Sequence, residues 1–170
     1  ELHAAESLLE ARDLEGELLG ELEPAERARV RLSVPLPPST PIGPRFDLVE
    51  VVGPILRNAL DASEKNDPVE LVLHVAGGRI EAIVRDRGPG MDATTLEHVG
   101  EPFFTTRPPG RGTGLGLFVV NLHLERLGGT LRFDSIPGVG TTATVEWPLA
   151  PTVPPSTLGR SGAEAGHELA

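Results

Sequence analysis

Three short stretches of this sequence contain the residue types of a ligand site. "DRGPGM", residues 86–91, places the Asp86 carboxylate before two alternate glycines, which let a backbone approach a flat ligand where a side chain would collide. "GTGLGL", residues 112–117, precedes an apolar helix, and the unpaired N–H groups of a helix N-terminus bind anions without any lysine. "RNALDAS", residues 57–63, carries Asn58 on an apolar helix stripe, and an amide oxygen is a hard ligand suited to Mg²⁺.

Each stretch taken alone also has an ordinary structural interpretation. Asp and Gly dominate turns, so Asp86 with Gly88 and Gly90 fits turn chemistry as well as ligand contact. The glycines of residues 112–117 would equally suit a close-packed loop. An isolated Asn58 on an apolar helix usually satisfies a neighbouring backbone group. Single stretches therefore leave both interpretations open.

Composition excludes several classes of protein. The net charge is -10 and no basic cluster is interleaved with aromatic residues, so nucleic acid is not an expected partner. Without cysteine there is no disulfide, thiolate metal site or thiol nucleophile. Lys65 is the only lysine and follows no glycine-rich loop, which excludes the phosphate-loop and eukaryotic protein kinase signatures. No apolar run of about 18 residues is present, so we expect no direct membrane contact from this segment.

The three stretches lie between segments of clear helical or strand periodicity. The first are a strand within residues 28–37 and a helix over 47–64, with Asp47 as its N-cap and a kink at Gly53-Pro54. Two strands around Gly77-Gly78 follow, and then a helix from residue 115 that ends at a left-handed cap at Gly128. The last two are strands over residues 130–135 and 141–149. Helices that alternate with hairpins predict an α+β fold, a two-layer sandwich with a mixed, mostly antiparallel sheet packed on helices.

Five motifs in this order resemble the ATP-binding catalytic domain of bacterial sensor histidine kinases. Besides the three stretches, they are "EPFFTT" at residues 101–106 and the Gly140-Thr141 pair in the closing strand. The resemblance covers roughly residues 28–148 and implies the Bergerat fold, shared with gyrase-type topoisomerases and the large heat-shock chaperone. Any one motif is weak evidence, whereas five in register are specific.

The resemblance implies a role for each motif. Asp86 would accept the adenine amino group, Gly90 and Thr141 would approach the adenine edge, and Asn58 would ligate Mg²⁺. Residues 91–111 resemble an ATP lid, with Phe103 and Phe104 as its apolar anchor. In this lid Arg107 and Arg111 would pair with phosphates, although two solvated arginines are the alternative. The expected catalytic residues are Asn58, Arg107 and Arg111, and the expected nucleotide contacts are Asn58, Asp61, Asp86, Gly88, Gly90, Thr105, Thr106, Gly112, Thr113, Gly114, Leu115, Gly116, Leu117 and Thr141.

Two positions depart from the family pattern. Pro54 stands four residues before Asn58, where kinases usually carry Asn or His and the chaperone and topoisomerase ATPases carry the glutamate that activates water. Proline cannot act as a base, which favours transfer of the γ-phosphate to another domain over hydrolysis. Asp61 stands near a position where many kinases carry a phosphate-facing Lys or Arg, so local phosphate contacts are in doubt.

The phosphoacceptor of the family is not found in this sequence. None of the five histidines lies in a His-acid pair on a helix; His167-Glu168 matches only the dipeptide. The resemblance therefore implies an ATP- and Mg²⁺-dependent catalytic domain that phosphorylates a histidine on a separate dimerisation domain, with a response regulator downstream and a cytoplasmic location. The alternatives are a serine-directed anti-sigma-type kinase of the same fold and a non-catalytic ATP-binding docking module.

We predict three parts in the chain. Residues 1–23 form an acidic helical segment that would connect to a missing dimerisation domain, residues 24–150 form the catalytic domain, and residues 151–170 form a disordered tail rich in Pro, Ser, Gly and Ala.

Overall fold

The computed structural model describes residues 8–108 and 112–149. The predicted tail at residues 151–170, His167 and Arg111 lie outside these ranges.

A five-stranded mixed sheet forms one layer of the molecule. In spatial order its strands are β2 (Val30–Ser33), β4 (Val69–Ala76), β5 (Arg79–Arg85), β7 (Gly140–Pro148) and β6 (Thr130–Ile136). Only β2 and β4 pair in parallel, and the other three pairs are antiparallel. The predicted α+β sandwich with a mixed, mostly antiparallel sheet is confirmed.

Two helices, α3 (Arg45–Ala62) and α5 (Gly116–Leu127), pack together on one face of the sheet. The predicted stripe of α3 is buried throughout, from Leu48 to Ala59. The core between the layers follows from this amphipathic pattern. It includes Leu56, Leu71, Ile80, Val84, Val120, Leu124 and Val145.

The start of α3 differs from the prediction. Asp47 was expected as the N-cap, but the helix begins two residues earlier, at Arg45. The reason is that strand β3 (Pro41–Pro44) runs directly into the helix, so that helical geometry starts as soon as strand pairing ends. Pro54 lies inside α3, where it removes one helical N–H donor.

The N-terminal segment contains a strand that sequence periodicity did not predict. Strand β1 (Leu8–Glu10) pairs antiparallel with β3, and a short 3₁₀ turn leads into α1 (Leu14–Leu19) and then α2 (Pro24–Arg27). Helix α1 lies within the acidic segment 1–23 that was predicted to be helical, whereas α2 lies just after it. Leu14, Leu18 and Leu19 are buried in the same core as α3, so the described part of this segment packs as part of the domain. Its predicted role as a connection stays a prediction.

Two local features frame the lid segment. Helix α4 (Ala93–His98), which was not predicted, begins after Asp92, whose side chain accepts a hydrogen bond from the Thr95 N–H at 2.8 Å. Helix α5 ends at Gly128 with φ 66°, which confirms the predicted left-handed cap.

Candidate functional site

One cavity of about 490 Å³ collects most of the predicted site residues. It lies between α3, the start of α5, the ends of β5 and β7, and the segment that contains α4. The predicted residues that line it are Asn58, Asp61, Asp86, Gly90, Thr105, Thr106, Arg107, Gly112, Thr113, Gly114, Gly116, Leu117 and Thr141. Gly88 and Leu115 do not line it, and Arg111 lies outside the described residues. Contact of these residues with a ligand stays a prediction.

Asp86 is held in place by backbone donors. Its Oδ1 accepts the N–H of Gly88 at 2.8 Å and the N–H of Thr141 at 3.2 Å. Among residues 8–108 and 112–149, Oδ2 has no hydrogen-bond partner, so this oxygen is available to a ligand donor. Burial raises the pKa of the Asp86 carboxyl, and the two N–H groups oppose that shift. Asp86 is therefore an oriented, partly desolvated acceptor at the cavity wall.

The glycines beside Asp86 have packing roles. Gly90 has φ 67°, and a Cβ at this position would lie 2.1 Å from the carbonyl oxygen of Ile136. A Cβ on Gly88 would lie 2.8 Å from the carbonyl oxygen of Ala62. These glycines let the loop pass between the end of α3 and the β6–β7 hairpin, which fixes the position of Asp86.

The floor of the cavity is apolar and was not predicted. Val84 and Ala143 are paired residues of β5 and β7, and both line the cavity with Ile55, Met91 and Phe133. Such a surface suits a flat ring next to a carboxylate. The signal available in the sequence was the placement of Ile80, Ala82 and Val84 at alternate positions of β5, which puts all three on one face of the sheet.

The start of α5 opens onto the same cavity. Within the described residues, the N-cap residue of this 12-residue helix makes no side-chain cap, and a Cβ on Gly116 would meet nothing within 4 Å. Its free N–H groups and positive partial charge therefore face accessible space. Gly114, at φ 66°, instead allows the chain to pack closely against the lid segment, because a Cβ there would clash with the backbone of Phe103.

The two lid phenylalanines differ in environment. Phe104 is half-buried and its ring lies 5.7 Å from that of His98, in agreement with an anchoring role. Phe103 was also expected as an anchor, but its side chain is 75% exposed. Its backbone has φ 66° and its N–H donates to the Gly114 carbonyl, which turns the side chain away from the core.

Arg107 joins the lid segment to α3. Its Nη2 donates to Asn58 Oδ1 at 2.8 Å and lies 3.0 Å from Asp61 Oδ2. In this structure Arg107 therefore has side-chain partners on α3, and its pairing with phosphates stays a prediction. Asp61, which departs from the family pattern, is the partner that attracts this cation.

Among the described side chains of α3, the one carboxylate that lines the cavity, Asp61, is already paired with a cation. Pro54 and Glu50 do not line it, whereas three acidic residues do. Asp61 pairs with Arg107, and Asp86 accepts two backbone donors. Glu101, the first residue of the EPFFTT motif, places Oε1 3.3 Å from His98 Nδ1.

A sequence profile for a known family matches residues 43–151, the part of the chain that builds the cavity. The family is described as histidine kinase-, DNA gyrase B-, and HSP90-like ATPase. This chain belongs to that family. The domain is thus a histidine kinase-like ATPase domain, as its motifs predicted, and the α+β fold agrees.

Relatives of this ATPase domain include two bacterial kinases. The sensor protein kinase FleS of Pseudomonas aeruginosa is 40% identical over 114 residues, which are 67% of this chain and 28% of that protein. Sporulation kinase A of Bacillus subtilis is 30% identical over 106 residues, which are 62% of this chain and 17% of that protein. The chain therefore spans less than a third of the length of these relatives.

Two solved structures of histidine kinases superpose on the domain. The mycobacterial sensor histidine kinase MprB gives a TM-score of 0.66 at 27% identity, covering 84% of this chain and 97% of that one. Full-length ShkA in complex with AMPPNP gives a TM-score of 0.68 at 25% identity, covering 84% of this chain and 31% of that one. Within the described ranges, no helix combines the length and apolar character needed to cross a membrane.

Proposed function

We propose that this ATPase domain binds Mg²⁺-ATP and transfers the γ-phosphoryl group to a histidine on a separate dimerisation domain. The observation that carries the proposal is the composition of one cavity. The cavity is lined by the oriented carboxylate of Asp86, by the apolar side chains of Val84 and Ala143, and by the start of α5 at Gly116. These features fit an amino-substituted ring at one part of the cavity and a polyphosphate at another.

Mg²⁺ fits the chemistry of the α3 side of the cavity. The described ranges hold no group of three His, Cys, Asp or Glu residues that would bind a metal alone. Asn58 Oδ1 is a hard oxygen, and Mg²⁺ commonly takes few protein ligands together with phosphate oxygens. The ion would supply charge neutralisation between the phosphates. In this structure Asn58 Oδ1 accepts a hydrogen bond from the Arg107 guanidinium. Asn58 would hold the ion in place of that guanidinium.

Transfer to another protein suits this site better than hydrolysis. Phosphoryl transfer depends on positioning and charge neutralisation more than on covalent chemistry by the protein. The acidic side chains that line the cavity already have partners, and the described residues of α3 offer no base where related ATPases carry one. Once Arg107 is released from Asn58 and Asp61, its guanidinium would form hydrogen bonds with the phosphates.

The partners follow from the same proposal. The acceptor histidine would lie on a helical dimerisation domain, in the same protein or in another chain, and a response regulator would receive the phosphoryl group from it. We also propose a cytoplasmic location, where ATP and such regulators are found. No nucleic acid is expected as a partner of a chain whose net charge is -10.

The test is a transfer assay with labelled ATP and Mg²⁺. The domain is incubated with a purified dimerisation domain of a sensor histidine kinase, and the product is treated with acid. Label that appears on the dimerisation domain and is lost in acid supports phosphohistidine formation. Acid-stable label would instead indicate a serine-directed kinase. Tight binding of Mg²⁺-ATP without transfer to any dimerisation domain would indicate a docking module.

A further inference from the structure

Ser135, near the end of β6, has a hydroxyl group at the centre of three polar contacts. The Met91 N–H lies 2.8 Å from Ser135 Oγ, the Gly140 carbonyl oxygen lies 3.1 Å from it, and Thr141 Oγ1 lies 2.9 Å from it. The contacts join the loop after Asp86 to the first residues of β7. None of the five sequence motifs includes Ser135.

The number of protons fixes the direction of these bonds. A serine hydroxyl has one proton to donate and two lone pairs to accept with. The Met91 N–H can only donate and the Gly140 carbonyl can only accept, so Ser135 accepts from the first and donates to the second. All three contacts are hydrogen bonds only when the Thr141 hydroxyl donates its proton to Ser135. Thr141 Oγ1 is then left with lone pairs alone.

Thr141 and Asp86 present the same polarity to the cavity. Both residues line it, and the Thr141 N–H holds the Asp86 carboxylate through Oδ1. Asp86 Oδ2 is an acceptor, and Thr141 Oγ1 becomes a second one. A ring with an exocyclic amino group offers N–H donors to this wall. A ring with a carbonyl group in the same place brings a third acceptor. Asp86 Oδ2 and Thr141 Oγ1 then have no donor from the ring.

We propose that Ser135 is a positioning residue that orients the Thr141 hydroxyl and thereby makes the cavity prefer an aminopurine over an oxopurine. This role rests on the proposed binding of ATP. In Ser135→Ala the Thr141 hydroxyl loses its acceptor and turns freely, so that it donates to a ring carbonyl as readily as it accepts from an amino group. Selectivity between ATP and GTP decreases, which simple loss of stability does not cause.

The experiment measures the affinities for Mg²⁺-ATP and Mg²⁺-GTP by calorimetry. In Ser135→Ala the ratio of ATP to GTP affinity should fall about tenfold, the size of one well-made hydrogen bond. Ser135→Thr keeps the hydroxyl on a strand and should restore the ratio. The matched control is Thr142→Val, which removes the next hydroxyl along β7 and should leave the ratio unchanged.

A second pair of variants makes the result independent of the stability of Ser135→Ala. Thr141→Val keeps the shape of the side chain but removes the oriented oxygen, so it should lower the ratio by itself. Adding Ser135→Ala to Thr141→Val should change the ratio no further. A wild-type domain that prefers ATP, with an unchanged ratio in Ser135→Ala, would overturn the role of Ser135 alone. A wild-type domain that binds neither nucleotide would overturn the proposed function and this role together.

Discussion

At the scale of single residues, Asp86 meets two opposing demands. The cavity partly desolvates its carboxyl, which raises the pKa, while binding of an amino group requires the ionised form. The N–H groups of Gly88 and Thr141 favour the carboxylate. Backbone donors thus offset part of the cost of placing a charge against an apolar floor.

The first prediction concerns Asp86 and pH. Binding needs the carboxylate, so ATP affinity should be full at neutral pH and should fall as the pH is lowered through the raised pKa of Asp86. Asp86→Asn should weaken binding by about tenfold to a hundredfold, because a charge-assisted hydrogen bond is lost, and should flatten the pH profile. Calorimetry across a pH series measures both effects.

The same variant has a built-in control for folding. The amide oxygen introduced by Asp86→Asn can still accept the two backbone N–H groups, and the desolvated charge is gone. A raised folded-state pKa means that the wild type loses stability as the pH rises through it, so at neutral pH the thermal midpoint of Asp86→Asn should not be lower than that of the wild type. Unchanged nucleotide affinity in this well-folded variant would contradict the adenine assignment.

At the scale of elements, the lid segment is tied to α3 by one side chain. Arg107 contacts Asn58 and Asp61, which lie one turn apart on the helix. In the pair with Asp61 the Arg107 side chain is 37% exposed and the Asp61 side chain 42%, so the pair contributes at most about 1 kcal/mol to the free energy of unfolding. Its effect should appear in local opening of the lid and not in global stability.

A second prediction tests this tie. Asp61→Asn should speed chymotrypsin cleavage after the exposed Phe103 several-fold in the absence of nucleotide, with little change in the thermal midpoint. Asp134→Asn is the matched control, since it removes an exposed ion pair on β6 that does not touch the lid. Equal cleavage rates for the wild type and both variants would show that the Arg107–Asp61 pair does not hold the lid.

A third prediction separates two left-handed glycines. Gly78→Ala, at φ 75° in the open turn between β4 and β5, should cost about 1–2 kcal/mol of unfolding free energy. Gly90→Ala adds the clash with the Ile136 carbonyl and should cost about 2–5 kcal/mol. Urea unfolding measures both. Equal costs would mean that the hairpin yields to the added methyl group.

Sequence reasoning was reliable where a pattern is local and incomplete where partners are distant. The stripe from Leu48 to Ala59 and the cap at Gly128 follow from spacing alone, and both were predicted. Strand β1 has only three residues, and its partner is a proline-rich segment, so no periodicity marks it. For the same reason the Arg107 contacts with α3 and the hydrogen bonds of Ser135 could not be predicted, because they join residues far apart in the chain.

At the scale of the whole molecule, the described part of the acidic N-terminal segment is integral to the core. Leu14 is fully buried, and Leu18 and Leu19 pack in the same cluster as α3. A helical connector was predicted here because the family's phosphoacceptor domain is missing from the sequence and the segment is acidic with an interrupted leucine pattern. The nonlocal packing of those leucines was not visible in that pattern.

The fourth prediction tests that integration. Leu14→Ala should lower the unfolding free energy of the entire domain by about 2–5 kcal/mol, with a single transition, because a fully buried side chain leaves a cavity in the shared core. Leu122→Ala is the control, since Leu122 on α5 is 48% exposed and should change stability by about 0.5 kcal/mol or less. A separate early transition in Leu14→Ala would show that the segment unfolds on its own.

The pairing of β1 with β3 has a mechanical consequence. Leu8 pairs with Pro44, and Pro44 is followed at once by the first residue of α3. The backbone pairing of β1 with β3 is thus joined directly to the base of the helix that carries Asn58 near its other end. A displacement of β1 would therefore reach the base of α3 through the β1–β3 ladder and a single peptide bond, without passing through side-chain packing.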